Sequence, residues 1–153
     1  QFDGSFAHLS SLKHTRDVFR ETLRLYPPVP MMVREATQGE VFRGRQVRAG
    51  AQVVLSPWHL HRHTRLWHNP DGFDPARWET ENGKTCARNA YMPFSAGSRI
   101  CSGAGFALIE GTVLLARLLK SYEFAAGAEH EPVPVAHLTV RAKDGIGLRL
   151  QTR

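Results

Sequence analysis

What this chain has little of sets its limits. It holds two cysteines, Cys86 and Cys101, and no C-x-x-C pair. A paired-cysteine zinc site is therefore not encoded. A disulfide between the two is not called for, because a chain of 153 residues can bury a core without stapling. No apolar run approaches the ~20 residues that cross a bilayer. The opening, QFDGSFAHLSSLKH, lacks an initiator Met and reads as neither a signal nor a transit peptide. A helical pattern begins almost at once, which predicts a piece of a longer chain, and without a leader or span a cytoplasmic location is slightly favoured. There is also no basic run. Lys and Arg number 20 against 14 Asp and Glu, for a net charge of +6, but the arginines are scattered through every segment. That excludes a nucleic-acid arm. The excess charge suits an acidic protein partner or an anionic ligand instead.

Two glycine-rich cofactor motifs are missing as well. Gly97 and Gly103 are one residue too far apart for a phosphate loop, and no Lys follows. Gly103-x-Gly105 meets Leu108 where a dinucleotide fingerprint needs its third glycine. What remains is a globular composition, 42% hydrophobic and 22% charged, with no internal repeat.

The spacing of Leu12, Phe19, Thr22 and Tyr26 predicts a helix over 12–26, with Ser10 or Ser11 as its cap. Pro27, Pro28 and Pro30 end it. Short strands follow in EVF, QV and AQVVLS, separated by RG and RAG turns. The stretch from Ser56 to Trp78 reads as loop with one short helix near His63 to Trp67, and 79–100 reads as loop throughout. A second helix is predicted over 102–122. EFAAG, LTVRA and IGLRLQ read as closing strands.

The chemistry concentrates at PFSAGSRICSG, residues 93–103. Cys101 stands just before a helix start, where amide donors and the helix dipole favour a thiolate. Such a sulfur serves as a nucleophile or a metal ligand, and the eight histidines leave a histidine base available by composition. The neighbours argue for a large flat partner. Gly97, Gly103, Ala104 and Gly105 remove bulk beside the sulfur, Phe94 offers an aromatic face, and Arg99 offers a cation to a carboxylate. Haem has these three features: an iron, a flat apolar body and two propionates.

FSAGSRICSG, residues 94–103, resembles the haem-binding signature of the cytochrome P450 family, F-[SG]-x-G-x-R-x-C-x-G, at every specified position. ETLR, residues 21–24, resembles that family's E-x-x-R helix, and FDPARW, residues 73–78, its later F-x-P-x-R-[FW] segment. The three stand in the family's order. Two departures, Ala76 for a usual Glu and Arg48 for a common Pro, lie outside the haem chemistry. The resemblance covers essentially all of residues 1–153 and implies the C-terminal, haem-binding portion of a mainly α fold with small β-sheets. Its parts would be the E-x-x-R helix, short strands, a meander loop, the cysteine loop, a proximal helix and a closing β-hairpin. The family's N-terminal part and distal oxygen-activating helix would be absent.

The resemblance implies a cofactor, haem b, with Cys101 as the axial thiolate on iron and the catalytic residue. Phe94, Gly97, Arg99 and Gly103 would complete the cofactor loop, and Arg34 would supply a second propionate contact. Glu21, Arg24 and Arg77 would form a buried network behind the loop. Val29, Met32 and, more remotely, Leu138 would line the substrate pocket. The parent enzyme would be a haem-thiolate monooxygenase acting with O2 on a small lipophilic substrate. Its electrons would come from a ferredoxin, a flavodoxin or a reductase. A peroxygenase or isomerase on the same fold, or a non-catalytic truncated chain, are the alternatives. His59, His61 and His63 would share one face of an extended segment, which gives a zinc reading; the family's similar LHR carries no metal, and polar structural contacts are the favoured reading.

Overall fold

The computed structural model describes residues 6–127 and 131–153. A short 3-10 turn, Phe6–Ser11, leads into α1, Lys13–Leu25. Neither serine caps it. Leu12 stands at the N-terminal boundary with no side-chain cap, and Ser11 Oγ donates instead to the carbonyl of His8 at 2.7 Å. The three prolines stop α1 at Leu25, and Tyr26 closes it by donating its amide to the Thr22 carbonyl.

Strand β1, Met32–Glu35, pairs antiparallel with β4, Gln52–Leu55, and the hairpin of β2, Glu40–Phe42, and β3, Arg45–Val47, is inserted between them. Arg43 and Gly44 turn that hairpin with φ of 51° and 77°, the two positive values that a two-residue turn of matching twist requires. Alternation along β1 puts Met32 and Arg34 on the half-buried face.

The next helix, α2, is Pro57–Leu60 and not the expected 63–67. Ser56 caps it and Pro57 occupies its first position, a start signal legible in the sequence. Residues 79–100 are not all loop either. A 3-10 turn, Pro75–Glu79, is followed by α3, Glu81–Asn89, which Thr80 caps by accepting from the Gly83 amide at 3.0 Å. Gly83 lies in α3 because a Cβ there would run into the backbone carbonyl of Arg77. A last 3-10 turn, Gly97–Arg99, precedes α4, Ala104–Ser121.

Strand β5, Tyr122–Ala126, pairs with β8, Leu148–Thr152, and β6, Pro134–Ala136, pairs with β7, Val140–Ala142. Among the described residues the strands thus form four two-stranded antiparallel pairs. The β6–β7 hairpin is tied to the proline turn by the Val140 amide, which donates to the Pro28 carbonyl at 2.9 Å.

Besides Leu23 and Leu25 of α1, the buried apolar residues form one cluster, Trp67, Trp78, Cys86 and Ala90, with Leu60, Ala87 and Tyr91 packed against it. Trp67 and Trp78 meet edge to face at 5.8 Å, and the Arg20 guanidinium covers the Trp78 ring at 4.0 Å. Helices α1 and α4 approach so closely that a Cβ at Gly111 would meet the ring of Phe19.

Candidate functional site

Behind the cysteine loop lies a buried charged cluster. Glu21 and Arg24, one turn apart on α1, have no exposed surface. Glu21 Oε2 accepts from Arg24 Nε at 3.0 Å. Its Oε1 accepts from Arg24 Nη2 at 2.9 Å, Arg77 Nε at 2.9 Å and the Asp74 amide at 3.0 Å. One carboxylate thus faces two guanidiniums. The second positive charge is met by backbone: Arg24 donates to the carbonyls of His61, Pro70 and Gly72, and Arg77 to those of His68, Asn69 and Gly72.

His61 is the joint between cluster and loop. Its ring is wholly buried. Nδ1 lies 3.0 Å from the Arg24 carbonyl, which only accepts, so Nδ1 carries the hydrogen. Nε2 lies 2.9 Å from the Met92 amide, which only donates, so Nε2 is bare. Burial pushes its pKa down from 6.5 to about 4, and the charges of Arg24 and Arg62 add to that. His59 bonds to Ser56 and His63 to the Arg65 amide, so the three histidines are occupied separately. No His, Cys, Asp and Glu grouping able to hold a metal ion occurs among the described residues.

The cysteine loop closes on itself. The Cys101 amide donates to the Phe94 carbonyl at 2.9 Å, and the Cys101 carbonyl accepts from the Ala104 amide at 3.2 Å, joining the loop to α4. Two backbone positions are left-handed, Ser95 at φ 66° and Gly97 at φ 68°. Gly97 takes that geometry without a Cβ penalty. Ser95 does not, and its Oγ accepts from Arg34 Nη2 at 3.0 Å. Cys101 itself is exposed and unbridged, while Cys86 is buried with its thiol against the Leu66 carbonyl.

Cys101, Arg99, Phe94, Arg34, Val29 and Met32 line one cleft of about 430 Å³, joined by Pro28, Pro93 and Ser95. Leu138 is not among the lining residues; it stands 87% exposed in the turn of the β6–β7 hairpin. A Cβ at Gly103 would sit 3.8 Å from the Cys101 sulfur, so its absence keeps the surface beside the thiol open. Gly97 and Gly105 likewise leave open space. The cleft offers one thiol, two guanidiniums and the Ser95 hydroxyl on an otherwise apolar wall. This donor set fits a flat apolar ligand with a thiolate-binding metal and two carboxylates, which is the chemistry of haem. Ser95 is absent from the expected site residues, although the F-S-x-G pattern carries a signal for it. The structural polar contacts expected of His61 are a clasp between Arg24 and Met92, partners too far away in the chain for a local pattern to name.

The fold and this cleft suit a haem-binding class of protein. The model of the cytochrome P450 family matches residues 3–148. The chain belongs to the cytochrome P450 family, whose cofactor is haem. It is 38% identical over 153 residues to cytochrome P450 4A10 of Mus musculus, which spans 97% of this chain and 30% of that protein. It is 39% identical over 145 residues to taurochenodeoxycholic 6 alpha-hydroxylase of Sus scrofa, covering 94% of this chain and 28% of that one. Among solved structures, the retinoic acid bound cyanobacterial CYP120A1 superposes with a TM-score of 0.87 at 28% identity, over 95% of this chain and 34% of the other. The cytochrome P450DA heme domain superposes with a TM-score of 0.82 at 35% identity, over 91% and 31%. The chain therefore spans about a third or less of the length of the proteins it matches. No described helix is long and apolar enough to cross a membrane.

Proposed function

We propose that residues 1–153 are the C-terminal, haem-binding portion of a longer monooxygenase that inserts one atom of O2 into a lipophilic substrate. The observation that carries this reading is the single cleft shared by Cys101, Arg99, Arg34 and Phe94. In it the Cys101 thiolate would hold the iron of haem b. Arg99 and Arg34 neutralise the two propionates, and Arg34 is steadied for that by Ser95 Oγ. Phe94, on the same cleft, would lie against the cofactor, and the bare surface at Gly97 and Gly103 would admit the ring. When bound, the cofactor supplies oxygen activation, which a thiolate ligand favours by donating electron density.

Val29 and Met32 sit on the same cleft and meet the substrate from the proline turn. Leu138 lies outside that cleft, in a hairpin turn tied to the proline turn by the Val140 to Pro28 hydrogen bond. The apolar run of residues 27–33 suits a lipophilic substrate, in keeping with relatives named for taurochenodeoxycholic hydroxylation and for bound retinoic acid. Electrons come from a ferredoxin, a flavodoxin or a reductase. The test is turnover of the full-length parent on a panel of lipophilic substrates. Product formation that needs both O2 and a reductase system is expected. Turnover with hydrogen peroxide alone, or rearrangement of a substrate without any reductant, would replace the monooxygenase by a peroxygenase or isomerase.

A further inference from the structure

His61 is not among the residues that line the cleft, yet it joins the two parts of the molecule on which the cleft depends. On one side it clasps Arg24 in both directions. Its Nδ1–H donates to the Arg24 carbonyl at 3.0 Å, and its own carbonyl accepts from Arg24 Nη1 at 2.8 Å. On the other side its bare Nε2 accepts the Met92 amide at 2.9 Å. Met92 is the residue at which the cysteine loop begins. Its carbonyl accepts the Ser95 amide at 3.2 Å, Pro93 is buried, and Phe94 accepts the Cys101 amide at 2.9 Å. The ring also lies against Tyr91, with centroids 5.3 Å apart and planes tilted by 32°.

From this placement we infer that His61 is a positioning residue for Cys101: as a neutral Nδ1–H imidazole it fixes the entry of the cysteine loop to the buried Glu21–Arg24–Arg77 cluster through the Met92 amide. The inference rests on the haem-thiolate reading of Cys101 and adds to it the residue that sets where the sulfur stands. The two bonds differ in purpose. The bond to Arg24 fixes the tautomer and the ring plane. The bond to Met92 holds the loop, and losing it leaves a half-buried amide without its acceptor, a loss that favours loop opening by up to roughly tenfold.

The two bonds are separable by substitution, because an amide side chain matches one ring nitrogen or the other in reach. His61→Gln keeps an acceptor at the Nε2 position for Met92. His61→Asn keeps only a donor at the Nδ1 position for Arg24. His61→Phe keeps the shape and neither bond. Each variant is made in the full-length parent, reduced, and treated with carbon monoxide. The fraction of bound haem showing the red-shifted Soret band of thiolate ligation is measured, together with the haem midpoint potential. That fraction is counted per haem, so a simple fall in yield does not move it. The expected result is a loss of several-fold in the thiolate-ligated fraction for Phe and Asn, a shifted potential in the same two, and restoration of both by Gln. An unchanged fraction and potential in Phe or Asn overturns the inference. So does a Gln variant that behaves like Asn or loads no haem. If the unsubstituted parent itself lacks the red-shifted band, the haem-thiolate reading fails instead, which keeps the two failures distinct.

Discussion

Replacing Glu21 by Ala removes the only carboxylate of a cluster that also holds Arg24 and Arg77. In the folded chain Glu21 has no exposed surface, Arg24 none, and Arg77 4%. The change deletes four hydrogen bonds, three of them charge-assisted contacts from guanidinium nitrogens at 2.9–3.0 Å. It leaves two buried positive charges facing one another. Both keep their backbone carbonyls, so their hydrogens are not all orphaned, but carbonyl dipoles do not replace a full negative charge. Breaking a buried ion pair at one partner costs about 3–5 kcal/mol. Set against a total stability of about 5–15 kcal/mol, that is enough to prevent assembly. An exposed i,i+3 pair would contribute only about 0.2–0.5 kcal/mol. The assay is haem content and thermal denaturation of the full-length parent. Glu21→Ala is expected to accumulate almost no holoprotein, and any residual holoprotein keeps the spectrum of thiolate ligation. Arg77→Ala should behave alike, and the double variant should cost less than the sum of the two, because one cluster breaks once. Normal holoprotein whose melting temperature lies within a degree or two of the parent would refute the reasoning.

Gly83→Ala, ordinarily a gain of up to about 1 kcal/mol inside a helix, is expected to destabilise by about 1–3 kcal/mol, since the new Cβ meets the Arg77 carbonyl; denaturant melts check it, and a rise in stability contradicts it. His61 has a folded-state pKa of about 4, below its ordinary 6.5, so the unfolded chain binds the extra proton between these values. Stability is then full above about pH 6.5 and falls by up to roughly 3 kcal/mol as pH drops toward 4, with Arg24, Arg62 and Tyr91 as the ionisable groups around the ring. Melting curves of the parent and of His61→Gln across this range should differ in slope, the variant being flatter. The 153-residue chain alone, with Phe106, Ile109, Leu114 and Leu118 of α4 exposed, is expected to bind haem weakly and to associate; tight stoichiometric uptake by a monomer, seen by titration and light scattering, would contradict this.

The parts of the fold that were legible in the sequence are those set by neighbours in the chain. Helix α1 follows from its apolar spacing and its proline stop, the β2–β3 hairpin from its RG turn, and α4 from its long apolar run. The cysteine loop is legible for the same reason, since all its pattern residues lie within ten positions. Helix α3 was hidden by Asn82 and Gly83, a pair that signals a turn; only the packing against Arg77 explains a glycine inside that helix. Strands β1 and β6 were missed because each is short and β1 finds its partner beyond an inserted hairpin, while Pro134 opens β6 at a position where strands tolerate proline. Leu138 stood in the expected pocket set, but its turn leaves it 87% exposed. His61 shares an alternating His-x-His-x-His pattern with His59 and His63. Its hydrogen-bond partners, 37 and 31 residues away in the chain, lie beyond the reach of any local pattern.

The central claim is that Cys101 is the thiolate ligand of a haem held in the cleft with Arg99 and Arg34. The most direct measurement is the absorption spectrum of the full-length parent, reduced and saturated with carbon monoxide, beside that of its Cys101→His variant. The parent should show the red-shifted Soret band of thiolate-ligated haem, and Cys101→His should lose it while the haem it retains absorbs as a histidine-ligated form. A Cys101→His variant that kept the red-shifted band would place the ligand elsewhere and contradict the account.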